Sequence, residues 1–322
     1  MPFGYNTFIA WVAETVWGTA VTPPTRFAEI VTESLRIIRR REMRQPIRGL
    51  DPVEGGLYDA LNGGVGGVVM ELNYGGFLRA MEHLLGDSSI STTVLEAVIS
   101  WTHSGTLKDT VMAGEGLTLY KNVDLDGGTP TMQFAGYKIN QMRFAMQPDR
   151  NTQVEMIGVA KDEVDVATPA ATYPVLANYV AGHQTILKLD DTEREFDTAE
   201  LLVDNGLVLE KRVMGSKTIA EPKRGASRRA ITGRITMDAV AADLAKFKAG
   251  TLLKLELLST GPVLGANNFR NDFTMPKCLI EEDPIVIPGI GVLQSSFPFR
   301  AIKPTSGELF TWDVVNDEET IT

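Results

Sequence analysis

Cysteine is nearly absent: the 322 residues hold one, Cys278. A chain with a single thiol has no internal disulfide framework, which points to folding in the cytoplasm. Histidine is almost as scarce. His83, His103 and His183 stand far apart, and none has a second ligand-type residue at metal spacing. They read as surface or boundary side chains, and no metal or other cofactor is expected. Basic charge is in deficit: 31 Lys and Arg face 41 Asp and Glu, a formal net charge of −10. That balance argues against a protein that grips nucleic acid, because neutralising phosphates takes Lys and Arg. It suits a surface that DNA slides past without sticking. Long apolar runs are missing too, so no membrane span is expected. The opening Met1-Pro2-Phe3-Gly4-Tyr5 lacks a basic stretch and an apolar run, so no secretion signal is expected.

Catalytic patterns are also wanting. Gly63-Gly64-Val65-Gly66-Gly67 has the glycine content of a phosphate-cradling loop but not its Lys and Ser/Thr. It also precedes a strand, where such loops follow one. Glu71 and Asp238 stand at matching strand-to-helix junctions, where a carboxylate is favoured beside a helix N-terminus by about 0.3–1 kcal/mol. No nucleophile and base stand at a working spacing. The chain reads as no enzyme.

What the sequence does contain is a pattern that occurs twice, over Glu29–Gly86 and over Glu200–Gly250. Each copy reads as an extended segment, a long basic hairpin loop, a return strand and a short helix. The return strands are Gly67-Val68-Val69-Met70-Glu71-Leu72 and Arg234-Ile235-Thr236-Met237-Asp238. The helices are expected over Tyr74–Leu85 and Ala239–Lys248. In the first, Phe77, Leu78, Met81, Leu84 and Leu85 fall at helical spacing ahead of Gly86. A closing hairpin follows each copy, Met132–Met146 with Thr152–Val159, and Phe273–Ile280 with Val292–Ile302. The first copy carries an additional strand region near Ile99–Val123. Ala28–Met43 reads as one long strand, Val94–Trp101 as another, and Gln45–Val65 as a loop far longer than the usual hairpin connection.

The fold class expected is therefore mainly β (α+β), with two tandem β-sandwich or partial-barrel domains. Each has one short flanking helix and a long hairpin loop. The expected division is an arm over 1–25, a domain over 26–165, a linker over 166–184, a second domain over 185–310 and an acidic C-terminal tail over 311–322, mobile at its end. Length and hydrophobic fraction allow each domain a core of its own.

Both copies place a basic run in the same hairpin of an acidic chain. The first holds Arg39, Arg40, Arg41, Arg44 and Arg48, and the second Lys217, Lys223, Arg224, Arg228 and Arg229. Such a run is either a solvated face or a loop reaching an acidic surface on another subunit. A DNA-binding or packaging accessory protein using the two loops is the competing reading. No aromatic residues are interleaved with the basic ones and no recognition helix is evident, which counts against it. Trp11 and Trp17 are large apolar groups in the arm, to be covered by the chain's own core or by a neighbour.

The phrase Trp11-Val12-Ala13-Glu14-Thr15-Val16-Trp17-Gly18-Thr19, then Pro23-Pro24-Thr25-Arg26-Phe27 and Glu29-Ile30-Val31-Thr32-Glu33-Ser34-Leu35, resembles the opening of major tail tube proteins of long, non-contractile-tailed bacteriophages. The order of elements after it is similar. The resemblance implies a structural protein of the virion, made and assembled in the host cytoplasm. Its subunits form rings around a channel, the inner strands join into a continuous barrel, and the rings stack through the hairpin loop and arms. Two tube-like domains per chain imply a homotrimeric ring with pseudo-sixfold symmetry. The implied partners are further copies, the tail terminator, distal tail or baseplate proteins, and, transiently in the lumen, the tape measure protein and DNA. Arg39, Arg40, Arg41, Arg44, Arg48, Lys217, Lys223, Arg224, Arg228, Arg229, Trp11 and Trp17 are the expected contacts between subunits or rings.

Overall fold

The computed structural model of the chain describes residues 7–43, 57–86, 89–96, 99–123, 128, 130–173, 178–225, 228–238, 240–282 and 294–321. Its first half contains β1 (Phe8–Glu14), β2 (Arg26–Ala28), β3 (Ile30–Glu33), β4 (Arg36–Met43), β5 (Leu57–Glu71), α1 (Leu78–Leu85), β6 (Ile90–Glu96), β7 (Ser100–Thr106), β8 (Gly116–Asn122), β9 (Thr131–Met146), β10 (Gln153–Ala160) and β11 (Asp162–Val166). The second half contains β12 (Thr185–Leu189), β13 (Thr192–Arg194), β14 (Thr198–Asp204), β15 (Leu207–Val208), β16 (Lys223–Arg224), β17 (Ala230–Asp238), α2 (Ala241–Ala249), β18 (Leu253–Leu264), β19 (Asn267–Ile280), β20 (Gln294–Ala301) and β21 (Thr311–Asn316).

The expected mainly β fold with two short helices is present. Seven strand pairings of the first half recur in the second, while the β4–β5 ladder beyond Ile38 has no counterpart on β17 among the described residues. In the first half β1 pairs with β2 and β8, β9 with β8, β10 and β11, and β5 with β3 and β10. In the second half β12 pairs with β13 and β18, β19 with β18, β20 and β21, and β17 with β14 and β20. Every one of these pairs is antiparallel. The insertion in the first half is the β6–β7 hairpin, Ile90–Thr106, because β8 has its counterpart in β18. No closed barrel forms among the described residues; the ladders join into a single extended sheet, apart from the small β15–β16 pair.

The single strand expected over Ala28–Met43 is interrupted at Leu35, between β3 and β4, and a glycine faces the matching leucine in each copy. Arg36 pairs with Val65, so Leu35 lies opposite Gly66. In the second copy Leu201 lies opposite Gly233. Both leucines are buried, at 1% and 0% exposure. A Cβ on Gly66 would collide with the Ser34 carbonyl oxygen, and one on Gly233 with the Glu200 carbonyl oxygen, the same position of each copy. Gly66 adopts φ +143°, which L side chains rarely take. The strand breaks at this point in the first copy, whereas β14 runs unbroken past Leu201 in the second; the leucine is buried in both.

Glycines expected as turn residues also serve packing. Asn62-Gly63-Gly64 lies inside β5, and a Cβ on Gly64 would press on Ala160 and Phe134. The expected loop is accordingly shorter: from Leu57 the chain is already strand, and 44–56 lie outside the described residues. Val94–Trp101 is likewise not one strand but the end of β6 and the start of β7.

Helix α1 starts four residues later than expected, after Gly75 and Gly76, the second at φ +81°. Leu78, Met81, Leu84 and Leu85 are buried, each contributing about 1.5–3 kcal/mol of transfer free energy. Helix α2 is held by Asp243, which accepts from the Val240 backbone N–H and from both terminal nitrogens of Arg194. That carboxylate sits at a helix start, where both the cap and the dipole favour it.

Each half was expected to have room for a core of its own; the larger buried cluster runs through both halves, and a smaller one around Phe8, Val12, Phe27 and Tyr120 lies in the first. Phe144 of the first lies 4.7 Å from Phe273 and 5.2 Å from Trp312 of the second, between ring centroids. The acidic segment expected as a tail forms β21, which pairs with β19 and with β7 and so ties the halves together. Beyond it, Glu318 forms an ion pair with Arg26 at 2.7 Å. The segment expected as a linker is pinned by bridges from Asn73 to Tyr179 and from Asn151 to Ala181. His83 and His103, expected near the surface, are both buried.

Candidate assembly interface

The seam between the two copies is a backbone ladder. Residues Gln141–Met146 of β9 pair with Ala199–Asp204 of β14. Strand β9 carries β10 on its opposite edge, so the sheet runs without a break from β5 through β10, β9 and β14 to β17 and β20. On the core face Met142 and Phe144 meet Leu201 and Val203, all buried. On the other face Arg143 bonds Glu200 at 2.8 Å and lies 3.9 Å from Glu155. The bond to Glu200 is the main cause that holds the Arg143 guanidinium pKa above its ordinary value. Gln141 donates to Asp204 at 2.9 Å, and Asn205 donates to the Ile139 carbonyl at 3.1 Å.

The register also shows which side chains share the uncovered face. Glu71 aligns with Gln153, Ala145, Glu200 and Arg234, and the next row holds Glu155, Arg143, Leu202 and Thr232. Side chains alternate across a strand, so Glu71, Glu155, Glu200, Asp204 and Asp238 project to one side with Arg143, Arg234 and Arg300. Carboxylates outnumber guanidinium groups on this face. Glu71 also accepts from Asn151 at 2.8 Å, which fixes the β9–β10 turn to the end of β5.

The edges at either end of this sheet are the places where a further copy could add. Through the Gly66 and Gly233 registers, Glu33–Ile38 occupies in the first copy the place that Ala199–Asp204 occupies in the second. The second copy's segment is paired to β9, whereas no strand covers that edge of the first among the described residues. Val31 and Ile38 are exposed there. Such an edge is a pairing template; at its middle only side chains hold it, the Leu35 carbonyl accepting from Lys121 Nζ at 2.9 Å and the Leu35 N–H donating to Glu33 at 2.9 Å. At the far end, the stretch matching Gln141–Met146 follows Ile280 and falls largely within 283–293, outside the described residues.

The basic residues singled out in the sequence divide into groups. Arg39, Arg40 and Arg41 are exposed on β4, and Arg39 and Arg41 line a shallow groove with Glu163. Burial raises the Glu163 pKa above the ordinary carboxylate value, and Arg39 opposes the rise. Arg44 and Arg48 lie outside the described residues. Lys217 is exposed, yet its carbonyl accepts from the Asn62 N–H at 2.7 Å, so the second copy's loop rests on the first copy's hairpin. Lys223 and Arg224 are exposed in β16.

Arg229 is drawn inward. Its guanidinium donates to the carbonyls of Leu84, Leu85 and Lys108 and to Asn205 Oδ1. It thus caps the C-terminal end of α1 from the other copy. Burial is the main cause that lowers its pKa to about 10, with Arg224 adding to the shift. Trp11 is 2% exposed and packs on Phe77 at 5.6 Å. Trp17 donates to the Gly136 carbonyl at 2.8 Å beneath the Lys161 ammonium. The chain's own core covers Trp11, and intrachain bonds hold Trp17 and Arg229.

Sequence reasoning missed the Arg229 clamp and the β9–β14 seam. The clamp had no local signal, since an arginine in a basic run looks solvated. The seam did have one: alternation at Leu201 and Val203 matches that at Met142 and Phe144.

A duplicated, edge-sharing β sheet with one uncovered face defines a protein of assembly. The chain belongs to the phage tail tube protein family, which it matches over residues 4–301. No curated protein matches the chain. Its place is accordingly structural, in the tail of the virion. No described helix is long and apolar enough to cross a membrane.

Proposed function

We propose that three chains close a ring of six modules, taken as residues 26–165 and 185–310, and that stacked rings form the tube through which the genome leaves. The observation that carries this reading is the β9–β14 seam. The fold already joins one module to the next edge to edge inside the chain, and the open Glu33–Ile38 edge is the matching half of a second seam. Closing a ring removes the open edges at both ends of the sheet. The uncovered face, richer in Glu and Asp than in Arg, lines the channel. DNA phosphates then pass a wall that does not hold them. The ring also meets the terminator and baseplate proteins at the tube's ends and holds the tape measure protein before ejection.

Electron microscopy of the purified protein tests this. The expected result is rings or tubes with threefold symmetry and a pseudo-sixfold inner wall. Rings of six whole chains, or a protein that stays monomeric at high concentration, would refute it.

A further inference from the structure

Strand β17 runs between two recesses of opposite charge. At its start, Ala230 lines a recess of about 640 Å3. Six basic residues line that recess against two acidic ones, in a chain whose net charge is −10. At its end, Asp238 lines a second recess of about 440 Å3 with Glu193, Glu195 and Asp197. The one arginine of the second recess, Arg194, is already held by Asp243 at 3.0 Å. Nine residues of strand separate the two by about 26 Å.

Neither recess is neutralised from within. In the basic one, Lys303 takes Asp109 at 3.3 Å and Arg300 takes Glu281. Arg228 is exposed and has no partner among the described residues. In the acidic one, Glu193 and Glu195 are exposed and form no ion pair among the described residues. The sheet register places Ala230 in line with Asp204, Gln141, Ile157 and Gly67, so the basic hairpin of the first copy leaves the sheet at this same end. One end of the sheet is thus basic in both copies, and the recess at the other end is acidic.

We propose that the basic recess seats the Glu193–Asp197 rim of a second copy in the next ring, so that rings stack in one direction only. Two like ends would bring the same sign together, which disfavours head-to-head stacking. A second copy fits better than DNA, because the complementary charge lies on the same chain at the opposite end of the same strand. The recess also offers Leu107, Ile302 and Leu309 but no aromatic ring on which a base could stack. The inference rests on the tube reading above.

Arg228→Glu with Lys303→Glu tests it. The expected result is intact rings and at least a tenfold rise in the protein concentration at which tubes appear. Glu193→Lys with Glu195→Lys in the same chain should restore tubes. Wild-type tubes should also dissociate with added salt. Tubes from the reversed variant at wild-type concentrations would overturn the inference and leave the ring reading standing. Failure of the second reversal to restore tubes, with rings intact, would overturn it too. Wild-type protein forming no rings would instead refute the ring reading, and this inference with it. Salt-sensitive binding of duplex DNA that the reversal abolishes, with stacking unchanged, would assign the recess to nucleic acid and overturn the inference.

Discussion

Acid should loosen this fold through His83. The side chain lies on α1 at 4% exposure, and neither ring nitrogen has a partner among the described residues. Burial first, then the charges of Lys138 and Arg79, lower its pKa from 6.5 to about 3. The unfolded chain therefore binds a proton below pH 6.5 that the folded chain refuses. A group with a depressed folded pKa stabilises the fold fully above the unfolded value and ceases to do so as pH falls toward the folded one. The loss grows by roughly 1.4 kcal/mol per pH unit between those limits, reaching about 2 kcal/mol at pH 5. His83→Leu removes the titrating group while keeping an apolar side chain in the helix. Urea unfolding of unassembled wild type and variant at pH 7.5 and pH 5 isolates the effect, because other groups titrate alike in both. The variant should gain about 2 kcal/mol on the wild type between the two pH values. With three histidines in the chain, the His83 imidazole can also be followed by NMR. Parallel losses in the two proteins, or a His83 resonance titrating near pH 6, would refute the reasoning.

Other consequences are equally direct. Arg229→Met removes the donors to the Leu84, Leu85 and Lys108 carbonyls, and should cost about 3 kcal/mol or more in urea unfolding. Arg229→Lys should not recover it, because an ammonium lacks the planar fork that reaches several carbonyls at once. Gly233→Ala forces a Cβ onto the Glu200 carbonyl and Gly66→Ala forces one onto that of Ser34; each should destabilise by more than about 2 kcal/mol by the same assay. The Cys278 thiol is buried, and burial pushes its pKa up to about 12. It should resist a thiol-specific reagent in the native protein and react at once in denaturant.

The mainly β class, the repeated return strands and the two helices were legible because alternation and helical spacing are local signals. The break at Leu35 was not: the Gly66 that faces it is brought there by a ladder, not by local spacing. Glycine misled for the same reason: Gly63 and Gly64 read as turn residues, but they leave room for Ile219, Ala160 and Phe134 from distant segments. The C-terminal segment misled through its charge. Asp313, Asp317 and Glu318 make it look like a solvated tail, while Trp312 and Val314 supply the core-facing side of β21. Of the interface, sequence located the basic hairpins but not which cations are already spent. Arg229 and Arg228 are neighbours, yet the first is committed to helix carbonyls and the second faces solvent. Only the packing around the chain distinguishes them.

Duplication changes what assembly must accomplish. A ring of three two-module chains closes with three seams between chains, where a ring of six single modules needs six. The other three seams form during folding, at the effective concentration of a tethered neighbour. Each seam also hides a strand edge. Here β14 is already paired to β9, so a free chain exposes the edge at Glu33–Ile38 rather than one such edge per module. Open edges are where chains add to the wrong partner, and halving their number lowers that hazard before the ring closes. Across the intrachain seam Arg143 bonds Glu200 on the uncovered face at 2.8 Å. At the matching place on the open edge stands Ser34 in the position of Glu200, which cannot reproduce that ion pair. In the ring proposed above, the seam between chains would lack that ion pair. It should open first when a ring is taken apart, leaving each chain's two modules joined.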